Sequence, residues 1–368
     1  MKPSLRPEQR TTVADPLSWG QRRGRARWLF AGGLAACLFG LWLGLVIGPA
    51  KVGAGQVGLA LLEAVGPLQR LFHASPPAEG VTAIVLNLRL PRSLLALLVG
   101  AVLGVAGAIM QALFRNPMAE PYLLGVSSGA GLGASIGFLF GLEVHIFGLS
   151  TIPVLAFAGA AGVAAFIYAL GGGGRGMGMT TLLLAGIAVG SFVSAVNALL
   201  MIMMREELRG LIFWLMGGFS LRGWEEVTVM LPYVVVGLFL ALFFARELNA
   251  LLLGDEGAMQ LGVNVERVRK ILLATATLLA AAAVSVGGII GFVGLIVPHM
   301  ARPFTGANHR ALLPACAILG GATLLFSDIL ARSVSAQEIP VGIVTAMLGT
   351  PFFLWILLAA RRRRFMTW

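Results

Sequence analysis

Four histidines (His73, His145, His299 and His309) and two cysteines (Cys37 and Cys316) are the residues best suited to ligate a soft or borderline metal. They are scattered along 368 residues, and none stands at metal-ligand spacing to another. Cys37 and Cys316 sit inside apolar runs, where a thiol reads as a small buried hydrophobe. No H-E-x-x-H motif or Ser/His/Asp order is present. No P-loop is present either, since the chain lacks even a Gly-Lys pair. Any ATP used must therefore be bound by another polypeptide. Asp328 is the acid nearest membrane depth, at the outer end of an apolar run. Ion-driven transporters carry intramembrane relays of ionisable groups. Their scarcity argues against a secondary transporter, the alternative class, and against an intramembrane enzyme.

The elements that must position these few groups are membrane helices. Hydrophobic residues make up 58% of the chain and charged residues 12%, half the roughly 25% of soluble domains. A spanning helix needs about 20 apolar residues. Runs of that kind cover 28–49, 93–114, 121–142, 144–174, 176–204, 227–245, 271–301, 311–327 and 339–360. The 271–301 run is too long for one span. Gly287-Gly288, Gly291 and Gly294 interrupt it, so it reads as a full helix, a tight turn and a shorter helix. Ten spans follow, with three regions: a basic tail over 1–27, a ten-helix transmembrane domain over 28–360, and a basic end over 361–368.

The net charge of +11 is distributed as membrane orientation requires and does not form a nucleic-acid patch. With both termini cytoplasmic, 19 of the 27 Lys and Arg lie in cytoplasmic segments. Small residues recur four apart at Gly40/Gly44/Gly48, Gly100/Gly104, Gly133/Gly137, Gly186/Gly190 and Gly287/Gly291, a pattern that packs helices closely in lipid.

Four stretches are more specific. The first runs Arg89-Leu-Pro-Arg92, Gly107-Ala-Ile-Met-Gln111, Asn116-Pro-Met-Ala-Glu-Pro121 and Leu124-Gly-Val-Ser-Ser-Gly-Ala130. The second is Trp214-Leu-Met-Gly-Gly218. The third is Gly291-Phe-Val-Gly-Leu-Ile-Val-Pro-His-Met-Ala-Arg302. The fourth joins Asp328-Ile-Leu-Ala-Arg332, Glu338-Ile-Pro-Val-Gly-Ile-Val-Thr345 and Gly349-Thr-Pro351. In this order, over about residues 28–360, they resemble the FecCD family of permeases of type II ABC importers, whose cargoes include vitamin B12, ferric siderophores and heme.

The resemblance implies an all-α integral membrane protein of about ten transmembrane helices in the bacterial inner membrane. It implies a homodimer whose axis is the translocation path, with two ATP-binding cassette subunits and one periplasmic substrate-binding protein as partners. The chain is then a permease subunit and no enzyme by itself; it holds no permanent cofactor or metal, and ATP is used by a partner. Arg89, Arg92 and Arg332 match positions that face the binding protein, where exposed guanidinium groups offer paired donors to carboxylates. The loop 251–269, with Gly254, Asp255, Glu256, Gly257, Gln260, Leu261 and Gly262, matches the segment that couples to the ATPase. Met179, Thr180 and Thr181 stand at the inner gate, and Ser191, Ser194 and Asn197 follow along one broad face of the same helix. Met179 sits where the vitamin B12 permeases of the family carry a hydroxyl residue, which makes the gate more apolar. On that ground, and on an overall likeness to the family's bacterial heme permeases, heme ranks first among the cargoes, ahead of ferric siderophore and cobalamin. His73 and His145, expected outside, are the candidate heme contacts. His299 belongs to the family's Pro-His pair and says nothing about heme.

Overall fold

The computed structural model describes residues 19–64, 77–142, 150–171, 178–335 and 337–365. His73 and His145 lie outside them. Ten helices follow the order of the apolar runs. They are α1 (Trp19–Val46), α3 (Val81–Leu113), α4 (Val126–Leu139), α5 (Thr151–Leu170), α6 (Met179–Met203), α8 (Trp224–Phe243), α11 (Val265–Gly287), α12 (Val293–Thr305), α13 (His309–Ala331) and α14 (Val341–Phe365). Four short helices lie between them: α2 (Ala54–Ala64), α7 (Leu208–Leu215), α9 (Ala245–Leu251) and α10 (Asp255–Gln260). In hydrocarbon every backbone polar group must be satisfied within its own segment, and a helix does that.

Several boundaries differ from the sequence expectation, among them the start of α11 at Val265, inside the loop 251–269, and the end of α14 at Phe365, inside the basic end. Helix α1 begins at Trp19, inside the stretch read as tail. Helix α3 begins twelve residues before Ser93, so Arg89 and Arg92 lie within a helix instead of preceding one. Pro91 supplies no N–H and its ring crowds the carbonyl one turn back. The chain accommodates this with a π-helical stretch over Ile84–Arg89, a wider turn that relieves the crowding.

Helices α3, α11 and α13 form the centre. The most apolar window of α3 is 83% buried, against 17% for α6. Close approach rests on glycine. A Cβ on Gly100 would stand 2.2 Å from the Gly320 carbonyl oxygen, on Gly104 2.4 Å from that of Cys316, and on Gly107 1.9 Å from that of Gly294. The Gly100/Gly104 stripe thus seats α3 on α13. A Cβ on Gly133 would stand 1.9 Å from the Leu155 carbonyl oxygen, which seats α4 on α5, whereas one on Gly137 would meet only the Leu155 and Ile152 side chains, at 3.3 and 3.4 Å.

The break between α11 and α12 forms a junction with two distant segments. Gly218 N–H donates to Gly287 O at 2.8 Å, and Gly342 N–H to Gly217 O at 3.4 Å. Gly217 and Gly288 both have left-handed backbones, at φ +70° and +67°, which β-carbons disfavour. The second and fourth sequence motifs therefore meet at this break.

Candidate functional site

A cleft of about 750 Å³ opens between α4 and α6. The turn Pro121–Leu124 and Gly125, at φ +71°, place the N-terminus of α4 beside the middle of α6. There Gly186 lets the Leu123 carbonyl approach to 2.2 Å of where a Cβ would stand. Ser127, Ser128, Ser191, Ser194 and Asn197 supply polar groups to the lining, with Ile187, Met201, Leu215 and Ile289 among the apolar ones. No Asp, Glu, Lys, Arg or His lines it among the described residues.

Asn197 Nδ2 donates to Ser128 O at 3.1 Å, and Ser128 Oγ donates to Gly125 O at 3.1 Å. Asn197 Oδ1 and Ser127 Oγ are buried with no hydrogen-bond partner among the described residues. A buried unmet polar atom costs about 1–3 kcal/mol, so a ligand amide or hydroxyl that meets it gains that much. Ser191, Ser194 and Asn197 do fall on one cleft. Ser127 and Ser128 were missed as lining residues, although Leu124–Ala130 signalled them.

Met179 lies elsewhere, at the start of α6. It lines a separate cavity of about 910 Å³ together with Leu182, Tyr168, Asp255, Met259, Gly262 and Arg269. Thr180 and Thr181 are exposed and stand outside both spaces. The start of α6 and the loop after α9 therefore share one space. Gly254 (φ +100°) and Gly262 (φ +80°) bound α10. Arg115 donates to Leu251 O at 3.2 Å and pairs with Asp255, which Arg269 also holds at 2.8 Å. Glu256, Gln260 and Leu261 are exposed, while Gly257 packs on Leu253. At the same end His299 bonds the Pro117 carbonyl at 2.9 Å.

The other end of α3 holds the arginines, and here the expected exposure is corrected. Arg89 and Arg332 are each 5% exposed. Arg89 donates to the Leu45 and Val46 carbonyls at 2.6 and 2.8 Å and to Ala50 O, capping the end of α1. Gly48 leaves room for it. Arg92 grips Asp328 with Nη2 at 2.9 Å and Nε at 3.1 Å from Oδ1, and reaches both Glu338 oxygens at 2.9 Å. Asp328 is fully buried and also pairs with Arg332 Nε at 3.4 Å. Ser220 Oγ donates to Glu338 at 2.6 Å. Burial alone would raise the Glu338 carboxyl, but the Ser220 hydroxyl and Arg92 guanidinium outweigh it and hold the carboxyl below its ordinary range. Burial lowers Arg332 despite the nearby Asp328. The acceptors that these guanidinium groups were expected to find on a partner's surface are thus already supplied by this chain, as carbonyls to Arg89 and as carboxylates to Arg92 and Arg332.

Comparison with known proteins fits this geometry. A cobalamin import permease of Halobacterium salinarum is 45% identical, over 79% of this chain and 79% of that one. A hemin transport permease of Yersinia pestis is 42% identical, over 87% and 93%. An Fe(3+)-citrate import permease of Bacillus subtilis is 37% identical, over 91% and 96%. An inward-facing metal-chelate type ABC transporter superposes with a TM-score of 0.77 at 29% identity, covering 90% of this chain and 99% of that one. The profile of the FecCD transport family matches residues 36–359, and the chain, a multi-pass membrane permease, belongs to that family.

Proposed function

We propose that this chain is the membrane half of an ATP-driven importer, paired with a second copy and worked by two ATP-binding cassette subunits, with cargo delivered by a periplasmic binding protein. The observation that carries the reading is the α4–α6 cleft. Its lining sets serine and asparagine groups among apolar ones, with no charged side chain among the described residues, and it opens on a helix whose Leu184, Ile187, Phe192, Leu199 and Ile202 are exposed in the single chain. A second copy covering that face turns a half-cleft into an axial path. The chain has no nucleotide motif, so movement between two packings must be driven by its partners. Both termini are assigned to the cytoplasm, on the side of the α9–α10 segment.

The lining also bears on cargo. Moving a carboxylate through a path without cations incurs desolvation that nothing repays. Asn197 Oδ1 and the serine hydroxyls suit amide and hydroxyl groups instead. Among the cargo classes of the relatives, a cobalamin-type complex, rimmed with amides, fits this lining better than heme or ferric citrate, which carry carboxylates. Heme retains one supporting observation, the thioether of Met179 in the separate cavity that it lines. Docking of a binding protein is assigned to the outer rim that Arg89, Arg92 and Arg332 hold in shape, not to direct contact by their buried guanidinium groups.

The test is ATP hydrolysis by the reconstituted complex with cognate binding protein, loaded in turn with cobalamin, hemin or ferric citrate. Stimulation by cobalamin is expected. Stimulation by hemin alone overturns the cargo assignment.

A further inference from the structure

At the inner end a second, smaller groove of about 380 Å³ lies between the α9–α10 segment and the start of α13. It is lined by Arg246, Asn249, Leu253, Leu261, Asn308 and Arg310. Leu253 and Leu261 are 69% and 63% exposed, although the segment is too polar to sit in hydrocarbon. Exposed leucines rimmed by polar groups mark a protein contact.

The floor of the groove is fixed. Asn249 Oδ1 accepts the His309 backbone N–H at 2.8 Å and lies 2.9 Å from His309 Nδ1. Asn249 Nδ2 donates to Asn308 Oδ1 at 3.0 Å, and that oxygen also caps the Arg310 N–H at 3.1 Å. A contact here therefore bears on α9 and α13 together. The two guanidinium groups on the rim are exposed, and neither has a carboxylate within ion-pair distance among the described residues.

Resting on the importer reading, we propose that this groove receives an apolar side chain flanked by a carboxylate from the ATP-hydrolysing subunit, with Arg246 and Arg310 as its ion-pairing rim. The footprint of that subunit then extends beyond the loop 251–269 onto the start of α13. An anionic lipid surface is the competing occupant. It fits less well, because Arg246–Lys270 holds four acidic and four basic residues, and lipid attraction grows with net positive charge.

The experiment co-expresses affinity-tagged permease with its ATP-binding cassette subunit and measures the ATPase retained after detergent extraction. The double variant Arg246→Glu/Arg310→Glu is expected to retain about tenfold less or lower, since like charges at a rim oppose association. Arg→Lys at both positions is expected to retain most of it. Leu253→Asp provides an independent loss, and unchanged melting temperatures show that each variant folds. Wild-type retention by the Glu variant overturns the proposal. So does unchanged retention with loss of a phosphatidylglycerol-induced rise in melting temperature, which assigns the rim to lipid. Failure of the wild-type permease to retain any ATPase overturns the importer reading itself.

Discussion

Replacing Asp328 by Asn removes one charge from a group with no solvent exposure. The Arg92–Asp328 contact is 2.9 Å long. At an effective dielectric near 20, two unit charges at that distance attract by about 6 kcal/mol before desolvation is subtracted. The substitution leaves Glu338 as the one carboxylate on Arg92 among the described residues, and leaves Arg332 with none, beside the Ser93 hydroxyl at 3.4 Å and a neutral amide oxygen. Breaking one side of a buried pair costs about 3–5 kcal/mol. Glu338→Gln is milder, about 1 kcal/mol, because that side chain is 25% exposed and the amide still accepts from Ser220. The assay is unfolding in mixed micelles followed by loss of helical circular dichroism, for both variants and for Arg92→Gln with and without Asp328→Asn. The cycle should give a coupling of about 2 kcal/mol or more. Equal effects of Asp328→Asn and Glu338→Gln, or a coupling near zero, refute the claim that this network holds α3 to α13.

Three further outcomes follow from the same geometry. Glu338 has a depressed folded value, so its stabilisation is complete above the ordinary value of 4.5 and is lost as pH falls from there through the lower folded value; unfolding midpoints should show this acid loss, and Glu338→Gln should flatten it. Gly107→Val drives a side chain into the Gly294 backbone, where even a Cβ would stand at 1.9 Å, and should cost about 3 kcal/mol or prevent folding, while Gly58→Ala, with open space around it, should leave the unfolding midpoint unchanged. Asn197→Leu removes the amide from the cleft and should lower cargo uptake about tenfold with retention of the ATPase subunit unchanged.

The spans were legible because lipid permits so few solutions. An apolar run of sufficient length has to be a helix, and the glycines of 287–294 betrayed the break between α11 and α12. The N-terminal end of α3 was not legible. Asn87, Arg89, Pro91 and Arg92 read as a boundary, since charge and proline both argue against a continuing span. Only the tertiary arrangement shows the two guanidinium groups met by α1 and α13, and the neighbouring Leu86 carbonyl met by α8, where Trp224 Nε1 donates at 2.9 Å. The ion network was hidden for a related reason. Arg92 meets Asp328 and Glu338 across 236 and 246 residues of chain, and an arginine near a helix end reads from sequence as exposed. The i, i+4 spacing of Asp328 and Arg332 was the available signal. In the cleft, Ser191, Ser194 and Asn197 were visible by helical periodicity, whereas Ser127 and Ser128 needed the turn at Gly125 to bring α4 alongside.

The central claim is that this chain forms a path but supplies no power. Cargo uptake into proteoliposomes holding the permease with or without its ATP-binding cassette subunit tests it directly. The account predicts accumulation only when ATP and the subunit are both present. Accumulation by the permease alone, driven by a proton or sodium gradient, contradicts it.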